Sequence, residues 1–131
     1  ILRLLDALEN ANQFSLQQVD LDLSKEDYLV NRVIHLIESR FGNISRKELE
    51  TALHYNAEYL NRLLKRQTKM TIVGYAQKIR TQKAQQLLQT TDLTIQLIAE
   101  RLGFSSEAYF YHYFKKQTGL SPNQYRQKFT L

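Results

Sequence analysis

The side chains that most often carry catalysis or bind metals are sparse and scattered in this sequence. Its three histidines, His35, His54 and His112, lie on separate predicted elements, and none has the spacing of a metal-binding HExxH helix. The sequence has no cysteine and no glycine-rich loop that could hold a phosphate group. We therefore expect no catalytic residue, no metal site and no cofactor, and we do not expect an enzyme.

Lysine and arginine are more informative, because they concentrate in one part of the chain. Residues 1–41 hold four Lys and Arg against seven Asp and Glu, whereas residues 42–131 hold fourteen against six. Although basic domains are common, this asymmetry favours a polyanionic partner such as nucleic acid. Two of the pairs of consecutive cations in the basic part, Lys65-Arg66 and Lys115-Lys116, are fifty residues apart.

The elements that position these side chains are predicted to be helices. Four glycines and one proline leave few breaks, and apolar residues recur at intervals of three and four. No segment has the pattern of a strand, and no apolar run is long enough to span a membrane. The sequence therefore predicts an all-α fold with about seven helices. Capping residues mark their starts at Ser24, Ser45, Asn56, Thr71, Thr94 and Ser121.

The first part of the chain is predicted to be less regular. Leu2 to Leu8 fits a short amphipathic helix, and Gln13 to Leu23 has no helical period, which favours an extended linker. Ser24 and Asp27 resemble a capping box that would begin a new helix. We interpret residues 1–23 as a linker or the tail of an upstream domain, and the chain as a fragment of a longer protein.

An internal repeat relates two segments of the basic part. Residues 58–79 match residues 108–129 at a constant offset of fifty, with seven identities in twenty-two positions. This similarity indicates that one structural unit occurs twice. The identical pairs are Tyr59/Tyr109, Lys65/Lys115, Gln67/Gln117, Thr68/Thr118, Tyr75/Tyr125, Gln77/Gln127 and Lys78/Lys128.

Each unit is predicted to be a helix-turn-helix, with a short helix, a turn and a longer helix. Apolar residues of the longer helices would face inward: Leu60, Leu63 and Leu64, then Phe110, Tyr113 and Phe114. The outward stripes would be Ala57, Glu58, Asn61, Arg62 and Lys65, then Glu107, Ala108, Tyr111, His112 and Lys115. Hydrogen-bonding groups near the helix start and cations near its end suit a helix in the DNA major groove.

The second unit carries a specific motif. It runs Ile95-x-x-Ile98-Ala99-x-x-x-Gly103-Phe104-Ser105, Tyr109-Phe110, Phe114-Lys115-Lys116, Thr118-Gly119 and Ser121-Pro122-x-x-Tyr125-Arg126. With this motif the chain resembles the AraC/XylS family of bacterial transcription regulators over about residues 28–129. The resemblance implies one helix-turn-helix subdomain at 24–70, a linker helix at 71–89 and a second subdomain at 90–131.

The resemblance also implies a function. Members of this family bind double-stranded DNA in successive major grooves and usually activate transcription. We therefore expect a cytoplasmic, nucleoid-associated regulator that acts on RNA polymerase, with an effector or dimerisation domain upstream. The alternative is a helical protein–protein interaction module. A protein-binding surface would be expected to expose aliphatic side chains rather than cations, which favours DNA.

The family's DNA contacts map onto the outward stripes. Base-reading residues would be Glu58, Asn61, Arg62, Glu107, Ala108, Tyr111 and His112, and phosphate contacts would be Lys65, Arg66, Lys115 and Lys116. Arg62 can instead pair with Glu58 along the helix, and Glu107 can simply favour the helix dipole. Arg80 is interpreted as a structural partner for an acid rather than as a base reader.

The first unit departs from the family pattern at three positions. His54 stands where a turn glycine is common, Glu50 takes the place of Ala99, and Lys69 takes the place of Gly119. Histidine tolerates a left-handed backbone at some cost. We therefore expect the first unit to be less tightly built than the second.

Overall fold

Seven helices and no strand account for the part of the chain that the structure describes. The structure is a computed structural model that describes the backbone of residues 10–129 and the side chains of residues 24–129. The prediction of an all-α fold is confirmed. The helices are α1 (Asn10–Ser39), α2 (Arg46–Leu53), α3 (Ala57–Thr68), α4 (Ile72–Thr90), α5 (Ile95–Arg101), α6 (Glu107–Thr118) and α7 (Pro122–Phe129).

Most helix starts lie where the capping residues predict them. At α2, Ser45 Oγ accepts a hydrogen bond from the Glu48 N–H at 3.0 Å, and Glu48 Oε1 accepts one from the Ser45 N–H at 2.9 Å. Ser121 and Gln124 form the same reciprocal pair before α7. These bonds satisfy backbone donors that have no partner inside a helix. The side chains of Asn56, Thr71 and Thr94 cap α3, α4 and α5 in the same way.

The prediction of an extended linker at Gln13–Leu23 is wrong, as is the predicted helix start at Ser24. Helix α1 runs through both without a break. No glycine or proline interrupts residues 10–39, so polar composition alone does not end the helix. The helix ends where Gly42 (φ +80°) donates its N–H to the Ile37 carbonyl at 2.8 Å. The predicted helix at Leu2–Leu8 lies outside the described residues.

Two hydrophobic cores lie along the chain, and they have no residue in common. Helix α4 is the element that joins them, because its first residue, Ile72, is buried in the first core, whereas Ala84 and Leu88 are buried in the second. The buried residues of the first core are Leu29, Val30, Val33, Ile37, Leu49, Leu53, Leu60, Leu63, Leu64 and Ile72. Those of the second are Ala84, Leu88, Ile98, Ala99, Leu102, Phe104, Phe110, Phe114 and Tyr125.

The repeat in the sequence is also a repeat in hydrogen bonding. Helices α3 and α6 begin and end at the same offset of fifty residues. Thr68 Oγ1 donates to the carbonyl four residues before it and accepts from the Met70 N–H, and Thr118 makes the equivalent bonds with Leu120. Lys69 (φ 67°) and Gly119 (φ 86°) both end their helices in the left-handed conformation.

Candidate nucleic-acid interface

Helix α3 buries one face in the first core and exposes the other. Leu60, Leu63 and Leu64 are buried, as predicted, while Glu58 and Arg62 are exposed. Ala57 was expected on the outward stripe, but it is buried, with 4% of its surface exposed. The outward stripe of α3 therefore begins at Glu58.

Two side chains from the preceding residues hold the start of α3. The Ala57 N–H donates to Glu50 Oε2 and the Glu58 N–H donates to Asn56 Oδ1, both at 2.7 Å. The carboxylate that replaces a small residue at position 50 therefore supplies a helix cap, and its negative charge also suits a helix N-terminus. The sequence reasoning missed this role. An acid in the last turn of one short helix, close in sequence to the start of the next, was the available signal.

Asn61 has a structural contact that the sequence did not indicate. Its side chain is half-buried, and its Oδ1 accepts a hydrogen bond of 2.7 Å from the Ile72 N–H at the start of α4. Its Nδ2 has no hydrogen-bond partner among the described residues. Asn61 can therefore offer two N–H donors to an acceptor on a base edge while its oxygen supports α4.

Arg62 is exposed, and its guanidinium lies over a tyrosine ring rather than beside Glu58. Its Cζ is 5.8 Å from the centroid of the Tyr59 ring, which in turn packs 5.6 Å from the ring of Tyr55. The two ion pairs among the described residues do not include Arg62. The pairing along the helix with Glu58 is therefore not formed, which leaves the donor fork of Arg62 available.

Helix α6 presents its four candidate base-reading residues as one surface. Glu107, Ala108, Tyr111 and His112 are all exposed and together line a single shallow depression. The rings of Tyr111 and His112 lie 6.0 Å apart and nearly perpendicular. The structure therefore brings together the whole set that was predicted for the second unit. Behind this surface Phe110 and Phe114 are fully buried and anchor the helix.

The four candidate phosphate-binding cations are exposed in the last turns of α3 and α6. Arg66 forms an ion pair of 3.1 Å with Glu26 of α1, and the neighbouring Gln67 donates to Asp27 at 2.7 Å. The other three, Lys65, Lys115 and Lys116, form no ion pair with a described residue. The two units therefore differ electrostatically, because α1 neutralises one cation of the first unit.

Both candidate DNA-contacting helices are hydrogen-bonded to α4. Asn61 of α3 accepts from Ile72, and the Tyr113 hydroxyl of α6 donates to the Gln77 carbonyl at 3.3 Å. Arg80 is structural, as predicted, but its partner is not an acid. Its Nε–H donates to the Leu102 carbonyl at 3.3 Å.

Two further properties bear on the kind of site. No group of three or more His, Asp or Glu side chains in residues 24–129 is arranged to hold a metal ion. None of the helices described is apolar enough over a sufficient length to cross a bilayer.

Comparisons with known proteins agree with this geometry. A family model described as a helix-turn-helix domain matches residues 49–128. The C-terminal domain of AraT, a response regulator from Geobacillus stearothermophilus, superposes with a TM-score of 0.74 at 34% identity, over 79% of this chain and 87% of that one. The DNA-binding domain of AdpA, a global transcriptional factor in complex with a target DNA, superposes with a TM-score of 0.68 over 76% and 90%. At 23% identity, that likeness concerns the fold alone.

Relatives known from sequence are longer than this chain. The HTH-type transcriptional activator RhaR of Mannheimia succiniciproducens is 40% identical over 70 residues, which are 53% of this chain and 25% of that protein. The chain spans between 13% and 49% of the length of the first curated relatives that it matches. The family match, the AraT structure and the motif of the second unit agree, and this chain belongs to the AraC-type helix-turn-helix domains of transcription regulators.

Proposed function

We propose that this chain is the DNA-binding part of a bacterial transcription regulator and that α3 and α6 enter successive major grooves of one duplex. The observation that carries this proposal is the repeat. Two helices with the same bounds at an offset of fifty residues, and with left-handed C-caps, each expose one face and are both hydrogen-bonded to one connecting helix. A single chain would then read two short half-sites on one face of the DNA.

The length of α4 suits that arrangement. Its 19 residues make a rod of about 28 Å at 1.5 Å per residue. Major grooves on one face of B-form DNA recur about every 34 Å, and half-sites are about 10 base pairs apart. Because α3 is bonded to the first residue of α4 and α6 to its sixth, Gln77, the two helices are attached at different levels of this rod.

The side chains divide the work by chemistry. Arg62 can donate in a bidentate manner to guanine, and the free amide of Asn61 can donate to a base acceptor. Tyr111 supplies an apolar ring face, and His112 supplies ring nitrogens. Glu58 and Glu107 can accept hydrogen bonds from cytosine, and Ala108 can contact a thymine methyl group. The exposed cations Lys65, Lys115 and Lys116 would neutralise phosphates without regard to sequence. Arg66 would do the same on exchanging its partner Glu26 for a phosphate.

The wider role extends the same proposal. The relative RhaR is named a transcriptional activator, which supports activation as the outcome of binding. Activation would then require contact with RNA polymerase. An effector or dimerisation domain would precede this chain in the full regulator. Such a protein works on the chromosome and would therefore lie in the cytoplasm, at the nucleoid.

Selection of bound duplexes from a random DNA pool tests the proposal. We expect two conserved blocks about one helical turn apart, and binding that weakens steeply with salt. Single-stranded RNA of matched length is the control and should bind more weakly. An absence of enrichment at low ionic strength would show that the exposed stripes serve another partner, such as a protein.

A further inference from the structure

The two units touch each other directly, beside the helix that joins them. The turn after α1 (Phe41, Gly42 and Asn43) lies against α4 and against the turn after α5 that contains Gly103. We call this contact the inter-unit seam and define it by Gly42, Asn43, Arg80, Gly103 and Phe104.

Two glycines allow the close approach at the seam. A Cβ on Gly103 would overlap the side-chain amide of Asn43, and a Cβ on Gly42 would overlap the Ala76 carbonyl oxygen of α4. Both glycines also have a φ of +80°, which disfavours other residues. The Asn43 amide therefore lies directly on the turn of the opposite unit.

Arg80 of α4 contacts both sides of the seam. Its Cβ is 3.0 Å from the position that a Cβ on Gly42 would take, whereas its guanidinium lies 3.7 Å from the centroid of the Phe104 ring. Its Nε–H donates to the Leu102 carbonyl. Burial lowers the pKa of Arg80, consistent with a guanidinium enclosed between the units. The contact with Phe104 is a cation–π stack that lysine would not reproduce.

The seam matters because the two cores share no residue. Without it, the first and second units would be related only through α4, and long helices are rarely straight. Small changes in that relation are large on the DNA scale, since adjacent base pairs are about 3.4 Å apart. The distance between α3 and α6 therefore depends on what braces α4 from the side.

We propose that the inter-unit seam fixes the spacing of the two DNA half-sites, with Arg80 and Asn43 as positioning residues that contact no DNA themselves. The effect on half-site spacing rests on the proposed function, whereas the bracing of the two units by the seam does not. It assigns spacing specificity to residues outside both exposed stripes.

The first experiment measures the protein without DNA. Because the chain has no cysteine, Lys65→Cys and Lys115→Cys place one spin label on α3 and one on α6. Double electron–electron resonance spectroscopy then gives the distribution of distances between the two labels. We expect a narrow distribution in this background and one that broadens or shifts by several ångströms on adding Arg80→Ala or Asn43→Ala. An unchanged distribution in both would overturn the proposal.

Controls separate loss of the seam from loss of fold. Gln82 is exposed on the same helix, so Gln82→Ala should leave the distribution of label distances unchanged. Asn43 belongs to neither hydrophobic core, so Asn43→Ala tests the seam even where Arg80→Ala lowers helicity. Broadening with Gln82→Ala equal to that with the seam variants would count against the proposal.

The second experiment uses the label-free chain and duplexes in which one half-site is moved by one or two base pairs. We expect the unaltered chain to lose about tenfold or more in affinity per misplaced base pair, and the Asn43→Ala, Arg80→Ala double variant to lose less than about threefold. Equal losses in the two proteins would refute the seam as a spacing device. If neither protein binds any duplex, the proposed function fails, whereas the spin-label distances still decide whether the seam braces the units.

Discussion

Asn61 combines a structural bond with a proposed DNA contact, and two substitutions can separate them. Its Oδ1 accepts from the Ile72 N–H at the start of α4, while its Nδ2 faces no described partner. Asn61→Ala removes both groups. Asn61→Asp keeps an acceptor for Ile72 but removes the N–H donors and adds a negative charge.

The sizes of the two effects follow from the structure. In Asn61→Ala the Ile72 N–H, on a residue that is 4% exposed, loses its side-chain partner, and such a loss costs about 1–3 kcal/mol of unfolding free energy. In Asn61→Asp the bond remains, and a carboxylate near a helix start is favourable by about 0.3–1 kcal/mol. DNA affinity should fall in both variants, by about 1–3 kcal/mol for a lost base contact, and further in Asn61→Asp because the new charge repels phosphate.

The assay pairs urea unfolding with DNA affinity at constant salt. We expect Asn61→Ala to lose stability and affinity together, and Asn61→Asp to lose affinity alone. Asn31→Asp is the matched control, because Asn31 is exposed on α1 and should change neither property substantially. If Asn61→Asp is destabilised as much as Asn61→Ala, the Ile72 bond does not stabilise the start of α4 as we describe.

Three further predictions concern single side chains. Arg62→Ala should weaken binding by about 1–3 kcal/mol and relax the preference at one base position, and an unchanged set of selected sequences would remove Arg62 from the interface. Lys115→Ala should weaken binding to every duplex alike and reduce the salt slope by about one unit, as titrations at several salt concentrations would measure; a selective loss on one sequence would contradict a phosphate role. The Ser45 N–H, and then the Arg40 guanidinium, lower the pKa of Glu48. The ionised carboxylate therefore stabilises the fold at pH values above the usual carboxyl pKa. This stabilisation is lost as the pH falls through the lowered pKa. Glu48→Gln should therefore be less stable than the parent in urea unfolding at neutral pH, with the gap closing in acid; a gap that persists in acid would be inconsistent with this origin.

Local features could be predicted from the sequence, because each needs only neighbouring residues. The capping box of Ser45 and Glu48 and the proline start of α7 are encoded within four residues, and the structure contains both. The repeat likewise predicted equivalent bounds for α3 and α6. Where a local signal has two meanings, the prediction failed: Ser24 has a capping pattern, but nothing before it ends the helix.

Contacts between elements could not be read from the sequence. The bond from Ile72 to Asn61 and the bond from Ala57 to Glu50 join residues that only the folded turns bring together. Arg80 was expected to be a structural partner for an acid. It meets a carbonyl and an aromatic ring instead, and only the packing of the two units determines that choice.

Hydroxyl-radical footprinting of this chain on a selected duplex tests the central claim most directly. With one chain per duplex, two protected segments should lie on the same face of the DNA, about 10 base pairs apart, and both should disappear as salt is raised. Protection of only one segment, or two segments that require two chains, would contradict the claim that α3 and α6 bind DNA together.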